Sequence, residues 1–308
     1  MRNFILGKTI NMIISLFTVL TLTFFMLESL PGTPLSHLGK TINAQSKHNY
    51  LEHYNLNEPI LKKYITFTKN IFLHRNLGES MIYPGRKVID EIKRYGSTSF
   101  SVGIKGIFLG LFIGGATGIL SITTNNRLMR NILVVLSILM VSIPSFIVAT
   151  FLYYIFVVKL TTLSTLTLDG KNAILPVVCV AISTAGIYAK YFREGILEEL
   201  HKDYVLQARA KGHTRWTLLK KHVLKNALFP MIALVLPQIA GIFMGFYVIE
   251  SIFSVPGFGT VYIDSVNNRD YNMILGATLV FTISYIISVY VAELLFIIAD
   301  PRLRRKNG

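Results

Sequence analysis

DYVLQARAKGHTRWTLLKKHVLKNALFP, residues Asp203–Pro230, lies between two apolar runs that are each long enough to cross a bilayer. It is basic and helix-prone. A membrane protein that only packs or only conducts has no evident need for such a segment. Within it, Ala208-Arg209-Ala210-Lys211-Gly212 puts small residues just ahead of a glycine. That suits a short helix docking in a groove of another protein, followed by a sharp turn at a residue of free φ. On charge alone the same stretch also reads as a solvated loop obeying the positive-inside rule. The remainder of the chain decides between the two.

Outward from this stretch the chain is apolar. Hydrophobic residues make up 52% and charged residues 15%, well below the quarter usual in soluble domains. The formal charge of +15 clusters at the ends of apolar runs. That pattern indicates topology and anionic lipid rather than nucleic acid. Six runs read as spans: about 9–30, 99–122, 132–158, 173–192, 231–253 and 272–299. The first reads as a retained span, since Leu30-Pro31-Gly32-Thr33-Pro34 is no cleavage site. Lys and Arg fall at Arg2, Lys8, Arg127, Arg130, eight positions between Arg193 and Lys225, and Arg302–Lys306. The short opposite loops hold only Lys159, Lys171 and Arg269. Both termini are therefore expected in the cytoplasm and segment 31–98 outside. In that segment Leu56-Asn57-Glu58-Pro59 reads as a turn, Ile60–Phe72 as an amphipathic helix, and Asn76–Gly78 and Tyr83–Gly85 as further turns.

Gly106, Gly110, Gly114 and Gly118 recur every four residues and form one smooth stripe on a helix. Gly241 and Gly245 repeat the spacing. Such stripes let helices approach closely, within the subunit or against a partner. Glu28, Glu250 and Glu293 lie within or near spans, as interfacial charges or as lining of a polar path. No catalytic constellation emerges. Pro34–Thr41 imitates a phosphate loop but lacks its first glycine, and Gly257-Phe258-Gly259 lacks the third glycine of a dinucleotide site. No metal-binding spacing, GxSxG or SxxK occurs. Cys179 has no partner and reads as a small buried hydrophobe.

Several motifs in order resemble the first-type permease subunit of the dipeptide/oligopeptide/nickel ABC importers, the binding-protein-dependent type I class. Leu30–Pro34 resembles the family's LPGDP, with Thr33 where aspartate is usual. Asn76-Leu77-Gly78-Glu79-Ser80 resembles GDLGxS. Asp203-Tyr204-Val205, Ala208–Gly212 and Lys225–Pro230 resemble its EAA loop. Val248-Ile249-Glu250, Phe253, Pro256-Gly257-Phe258-Gly259 and Asn268-Arg269-Asp270-Tyr271 resemble VVExxFxxPGxG…RDY, and Asp300–Arg304 resembles DPRxR. The EAA positions hold Leu206, Gln207 and Ala208, so Asp203 or Arg209 has to supply any charge pairing there.

The resemblance implies an all-α membrane protein: six transmembrane helices in a type I ABC importer permease fold, with a long extracellular segment after the first helix. The divisions are 1–30 (first helix), 31–98 (extracellular segment), 99–299 (five-helix core with coupling loop 193–230) and 300–308 (tail). It implies a peptide permease in a prokaryotic plasma membrane, with a second homologous permease, two cytoplasmic ATP-binding subunits and an extracytoplasmic solute-binding protein. Asp203, Tyr204, Ala208, Arg209, Ala210, Lys211 and Gly212 would couple to the ATPase. Glu250, Pro256, Gly257, Gly259 and Asp270 would serve the translocation path or outer gate. The chain would bind no cofactor itself, since ATP and Mg belong to the partner subunits. A nickel or metal-chelate permease shares these motifs, and a non-transporting scaffold is the reading from another class.

Overall fold

The computed structural model describes residues 2–30, 35, 43–160, 173–242 and 246–299. Among these the chain is helical, and the only strand-like pairing is an isolated bridge between Glu79 and Lys87. Helix α1 covers Arg2–Ser29, α2 Ala44–His53, α3 Ile60–Phe72 and α4 Val88–Thr123. Next come α5 (Arg127–Ser142) and α6 (Ser145–Tyr153), which runs on as a π-helical turn to Lys159. Helix α7 is Ile174–Leu200, α8 Asp203–Ala210 and α9 Arg215–Leu218; a second π turn then leads into α10, Leu224–Gly241. Last are α11 (Tyr247–Ile252), α12 (Phe258–Asn268) and α13 (Tyr271–Ala299).

The glycine stripe organises the molecule, and its partner is helix α7 of the same chain. A Cβ on Gly110 would sit 2.0 Å from Thr184 Oγ1, and one on Gly114 2.5 Å from the Ala185 carbonyl oxygen. On Gly106 it would lie 2.6 Å from Val180, and on Gly118 2.8 Å from the Ala189 carbonyl oxygen. The α4 backbone thus lies directly against α7 over more than three turns with no α4 side chain between them, as a small-xxx-small face allows. From α7, Gly186 does the same toward Met140 and Val141 of α5. Among the described residues no atom lies within 4 Å of a Cβ on Gly241, and Gly245 lies outside the described residues.

Among the described residues four helices are long and apolar enough to span a bilayer: Leu6–Ser29, Val88–Thr123, Ile174–Leu200 and Tyr271–Leu295. The run expected at 132–158 is broken instead, α5 and α6 meeting at 97°. Pro144 has no N–H to donate and biases Ile143 out of helical φ/ψ, which ends α5 there. The run expected at 231–253 starts earlier, at Leu224, and stops at Gly241 before the short α11. Helix α4 begins eleven residues ahead of the expected start at 99. Its 36 residues make a rod of about 54 Å, longer than the ~30 Å hydrocarbon core, so one end stands clear of it.

The described part of segment 31–98 packs around that end of α4. Asn55 takes φ +54° at the expected turn, and Pro59 then leads into α3 over the expected Ile60–Phe72. Gly78 and Gly85 take φ of +81° and +83°, left-handed values that suit glycine, and Asn76 Oδ1 accepts the Gly78 N–H at 2.9 Å. Helix α1 is fastened at both ends. Lys8 Nζ donates to Glu293 of α13 at 2.7 Å, Lys63 of α3 pairs with Glu28, and Thr21 shares a 2.7 Å hydrogen bond with Tyr64. Glu28 and Glu293 are therefore helix-to-helix ion pairs. Elsewhere α1 exposes Ile10, Ile13, Phe17 and Met26, as a helix facing lipid or another subunit does.

Candidate functional site

Two groups of the singled-out residues gather at opposite ends of α4. Near its Ile122 end sits α8, held between the end of α7 and the π turn ahead of α10. Its inward face is apolar: Val205 and Ala208 pack among Ile122, Ile196, Leu218, Leu219, Val223 and Ala227. Its flank is polar. Tyr204 donates to Glu199, whose carboxylate also pairs with Lys202, and Asn226 Nδ2 donates to Tyr204 Oη at 2.8 Å. The bond from Glu199 raises the Lys202 pKa above the ordinary lysine value, so that ammonium stays charged. Burial is the main cause that raises the pKa of the Tyr204 phenol.

Helix α8 ends in a Schellman motif. Gly212 takes φ +84°, its N–H reaches the Arg209 carbonyl at 3.0 Å, and the His213 N–H reaches the Ala208 carbonyl at 3.4 Å. This is the left-handed turn expected of a glycine at that position. The outward edge carries Leu206, Gln207, Arg209, Ala210, Lys211 and Gly212, with Trp216 close behind and capped by Lys220 at 5.1 Å from its ring. Leu206 is 49% and Trp216 54% exposed, large apolar surface to leave uncovered on an otherwise basic edge. Asp203 is exposed too. Ala208 is a correction. It was expected among the small residues that admit a partner, but at 7% exposure it faces the chain's own core. Tyr204 likewise serves as an internal anchor. The period of 3.6 turns residues 205 and 208 away from 206, 207 and 210.

Near the Val88 end of α4 lie Glu250 and Asp270, each 2% exposed. Glu250 accepts Ser99 Oγ–H at 2.5 Å and the N–H groups of Phe246 and Thr260 at 3.3 Å each. Ser99 Oγ in turn accepts the Phe258 N–H at 2.7 Å. Gly257 and Gly259 are small because this carboxylate lies against them. A Cβ on Gly257 would fall 2.1 Å from the Glu250 carboxyl carbon, and one on Gly259 2.7 Å from Tyr247 N. Pro256 sits exposed at the tip of the same turn. Asp270 accepts the Ser80 hydroxyl, the Met81 N–H at 3.0 Å and the Met273 N–H at 3.2 Å. Tyr50 and Tyr54 donate to the Met81 and Ser80 carbonyls at 2.7 and 2.8 Å, tying α2 to the same point. Burial, and then nearby negative charge, raises the pKa of both phenols. Glu250 and Asp270 brace the turns around them against α4 and α13.

Ser80, Ser99, Tyr50, Tyr54 and Glu199 belong to these networks, yet no spacing in the sequence marks them. Glu199 meets Lys202 and Tyr204 three and five positions on, but the partners of the others lie 26 to 190 positions away. The loss of Glu250 should be felt in stability. Glu250→Ala strands several buried donors at about 1–3 kcal/mol each, whereas Glu250→Gln keeps an acceptor oxygen. Thermal unfolding in detergent should show Glu250→Ala several degrees below Glu250→Gln, and equal midpoints would contradict the bracing role. Among the described residues no three His, Cys, Asp or Glu side chains gather as a metal site would require.

Comparison with known proteins agrees with this arrangement. A family model described as "Binding-protein-dependent transport system inner membrane component" matches residues 106–305, and its N-terminal companion matches residues 1–83. The dipeptide transport system permease protein DppB of Lactococcus lactis subsp. cremoris is 33% identical, covering 99% of this chain and 100% of its own length. DppB of Bacillus subtilis is 31% identical over 100% of both chains. The oligopeptide transport system permease protein OppB of Escherichia coli is 30% identical, over 99% of this chain and 100% of its own. A chain of the MetNI methionine ABC transporter, solved in inward-facing conformations, superposes with a TM-score of 0.50 at 18% identity. It covers 70% of this chain and 96% of its own length, and so shares the type I importer permease fold. With the glycine-packed α4–α7 pair inside the matched region, this chain belongs to the binding-protein-dependent transport system inner membrane component family.

Proposed function

We propose that this chain is one permease subunit of an ATP-driven importer of peptides. It would form half of the translocation path beside a second homologous permease. Two cytoplasmic ATP-binding subunits would drive it, and an extracytoplasmic solute-binding protein would deliver the peptide. The observation that carries the reading is relatedness over essentially the whole length to dipeptide and oligopeptide permeases. The shape of α8 supports the coupling part. It is a short, rigidly seated helix whose edge, Arg209 to Gly212, is exposed among the described residues. Closure of the ATPase pair on such an edge would move α8 together with the core beneath it, and α7 and α4 with that core.

In this reading both termini and α8 are cytoplasmic, and α2, α3 and the α11–α12 turns are external, in the plasma membrane of a prokaryote. Reconstitution with the second permease, the ATPase subunits and the binding protein should give ATP-dependent uptake of labelled di- or oligopeptides. Uptake of nickel or a nickel chelate without competition by peptide would move the assignment to the metal branch. With Cys179→Ser as background, a cysteine at Ser46 should react with an impermeant thiol reagent on intact cells, and one at Lys220 only after lysis. The reverse pattern would invert the topology.

A further inference from the structure

At the Val88 end of α4, the end opposite α8, a recess of about 240 Å³ opens between the turn Ser80–Arg86, the first turns of α4 and helix α12. Tyr83, Arg86, Glu91, Tyr95, Asp264 and Asn268 line it, with Asp270 at its base. We propose that this recess receives one lysine or arginine side chain presented by the extracytoplasmic solute-binding protein. The proposal rests on the importer reading above and names the chemistry of one contact in it.

Size is the first argument. The recess falls below the ~300–1,000 Å³ of sites that enclose small molecules, yet suits a single long side chain. Charge is the second. The chain carries +15 overall, but this lining sets the carboxyls of Glu91, Asp264 and Asp270 against the one guanidinium of Arg86. Asp270 is committed to Ser80, Met81 and Met273, which leaves Glu91 and Asp264 to meet an incoming cation. The third argument is the resident arginine. Arg86 lies 4.8 Å over the Tyr83 ring and 3.9 Å from Glu91 Oε2. The lining thus already holds a guanidinium between a ring face and a carboxylate, the pairing that an incoming Lys or Arg would use. At 3.9 Å that ion pair is too long for a hydrogen bond, so Glu91 keeps acceptor capacity. The frame is rigid, because Asp270, Tyr50 and Tyr54 pin the turn that forms one wall.

The test uses the reconstituted complex of permeases and ATPases, with ATP hydrolysis measured against the concentration of the peptide-loaded binding protein. Asp264 is exposed, so Asp264→Asn leaves the fold in place. Asp264→Asn should raise the half-saturating concentration about threefold and Glu91→Gln/Asp264→Asn about tenfold, with basal hydrolysis and the saturated rate unchanged. The salt dependence of half-saturation should flatten in the double variant. Arg86→Gln removes the resident cation and should lower the half-saturating concentration. A wild-type complex that no binding protein stimulates would sink the importer reading and this contact with it. Normal stimulation with an unchanged half-saturating concentration in both carboxylate variants would overturn this contact alone. Tighter binding in the carboxylate variants together with weaker binding in Arg86→Gln would mean that the recess takes an anion, and would also overturn it.

Discussion

Gly114→Leu should leave almost no folded protein, even when the chain is produced without its partners. A Cβ at this position already falls 2.5 Å from the Ala185 carbonyl oxygen and 3.0 Å from Ala189 N, and neither is a flexible side chain that could swing away. Room for leucine comes only from moving α4 off α7 along much of the stripe. Inserting extra carbons into a packed core costs about 1–3 kcal/mol when neighbours can adjust. Here the neighbour is helix backbone, so the cost exceeds that range and approaches the ~5–15 kcal/mol that holds a typical protein folded. Gly110→Leu should behave in the same way, since its Cβ would overlap Thr184 Oγ1 at 2.0 Å. Gly241→Leu is the matched control, because its Cβ position is open. Size-exclusion profiles in mild detergent should show aggregate for the stripe variants and a wild-type peak for Gly241→Leu. If Gly114→Leu elutes as wild type and fails only to bind the second permease, the stripe serves assembly rather than the fold.

Gly212→Val should abolish peptide uptake while the protein still inserts and folds. The position has φ +84°, where a β-branched residue is strained by roughly 1–2 kcal/mol or more. No atom lies within 4 Å of the would-be Cβ, so the strain is conformational and is relieved locally by undoing the Schellman turn. Relief redirects the chain after Ala210, displacing Lys211 and Trp216 from the edge that would meet the ATPase. Binding-protein-stimulated ATP hydrolysis should fall more than tenfold at an unchanged membrane level. Gly212→Asn, which tolerates the left-handed region, should retain most of it. Full stimulation in Gly212→Val would remove α8 from the coupling role. Ala208→Trp is no substitute for this experiment. Ala208 is enclosed by Ile196, Leu218 and Val223, so that change damages the seat of α8 rather than its outer edge.

Local features of this protein were legible in its residues. The turn at 56–59, the bounds of α3, the left-handed Gly212 and the four-residue glycine period each depend on neighbours within one or two turns of chain. The apolar runs likewise followed from bilayer thickness, apart from their breaks. Pro144 is visible in the sequence, but a proline within a span bends some helices and ends others, and the 97° turn depends on how α6 packs against α7 and α11. Only the tertiary structure decided that the stripe meets α7 and not a second subunit, because a smooth helix face does not name its partner.

The two carboxylates carry the same lesson. Glu250 stood out as a charge near the end of a span and Asp270 through the motif it belongs to, and such charges either line a path or brace a fold. Ser99 lies 151 residues before Glu250 and Ser80 lies 190 before Asp270; only the folded chain sets those hydroxyls against the carboxylates. Periodicity and turn chemistry act through near neighbours and can be read along the sequence. Burial, and the hydrogen bonds that satisfy a buried charge, depend on which distant segments meet, and the order of residues does not state that.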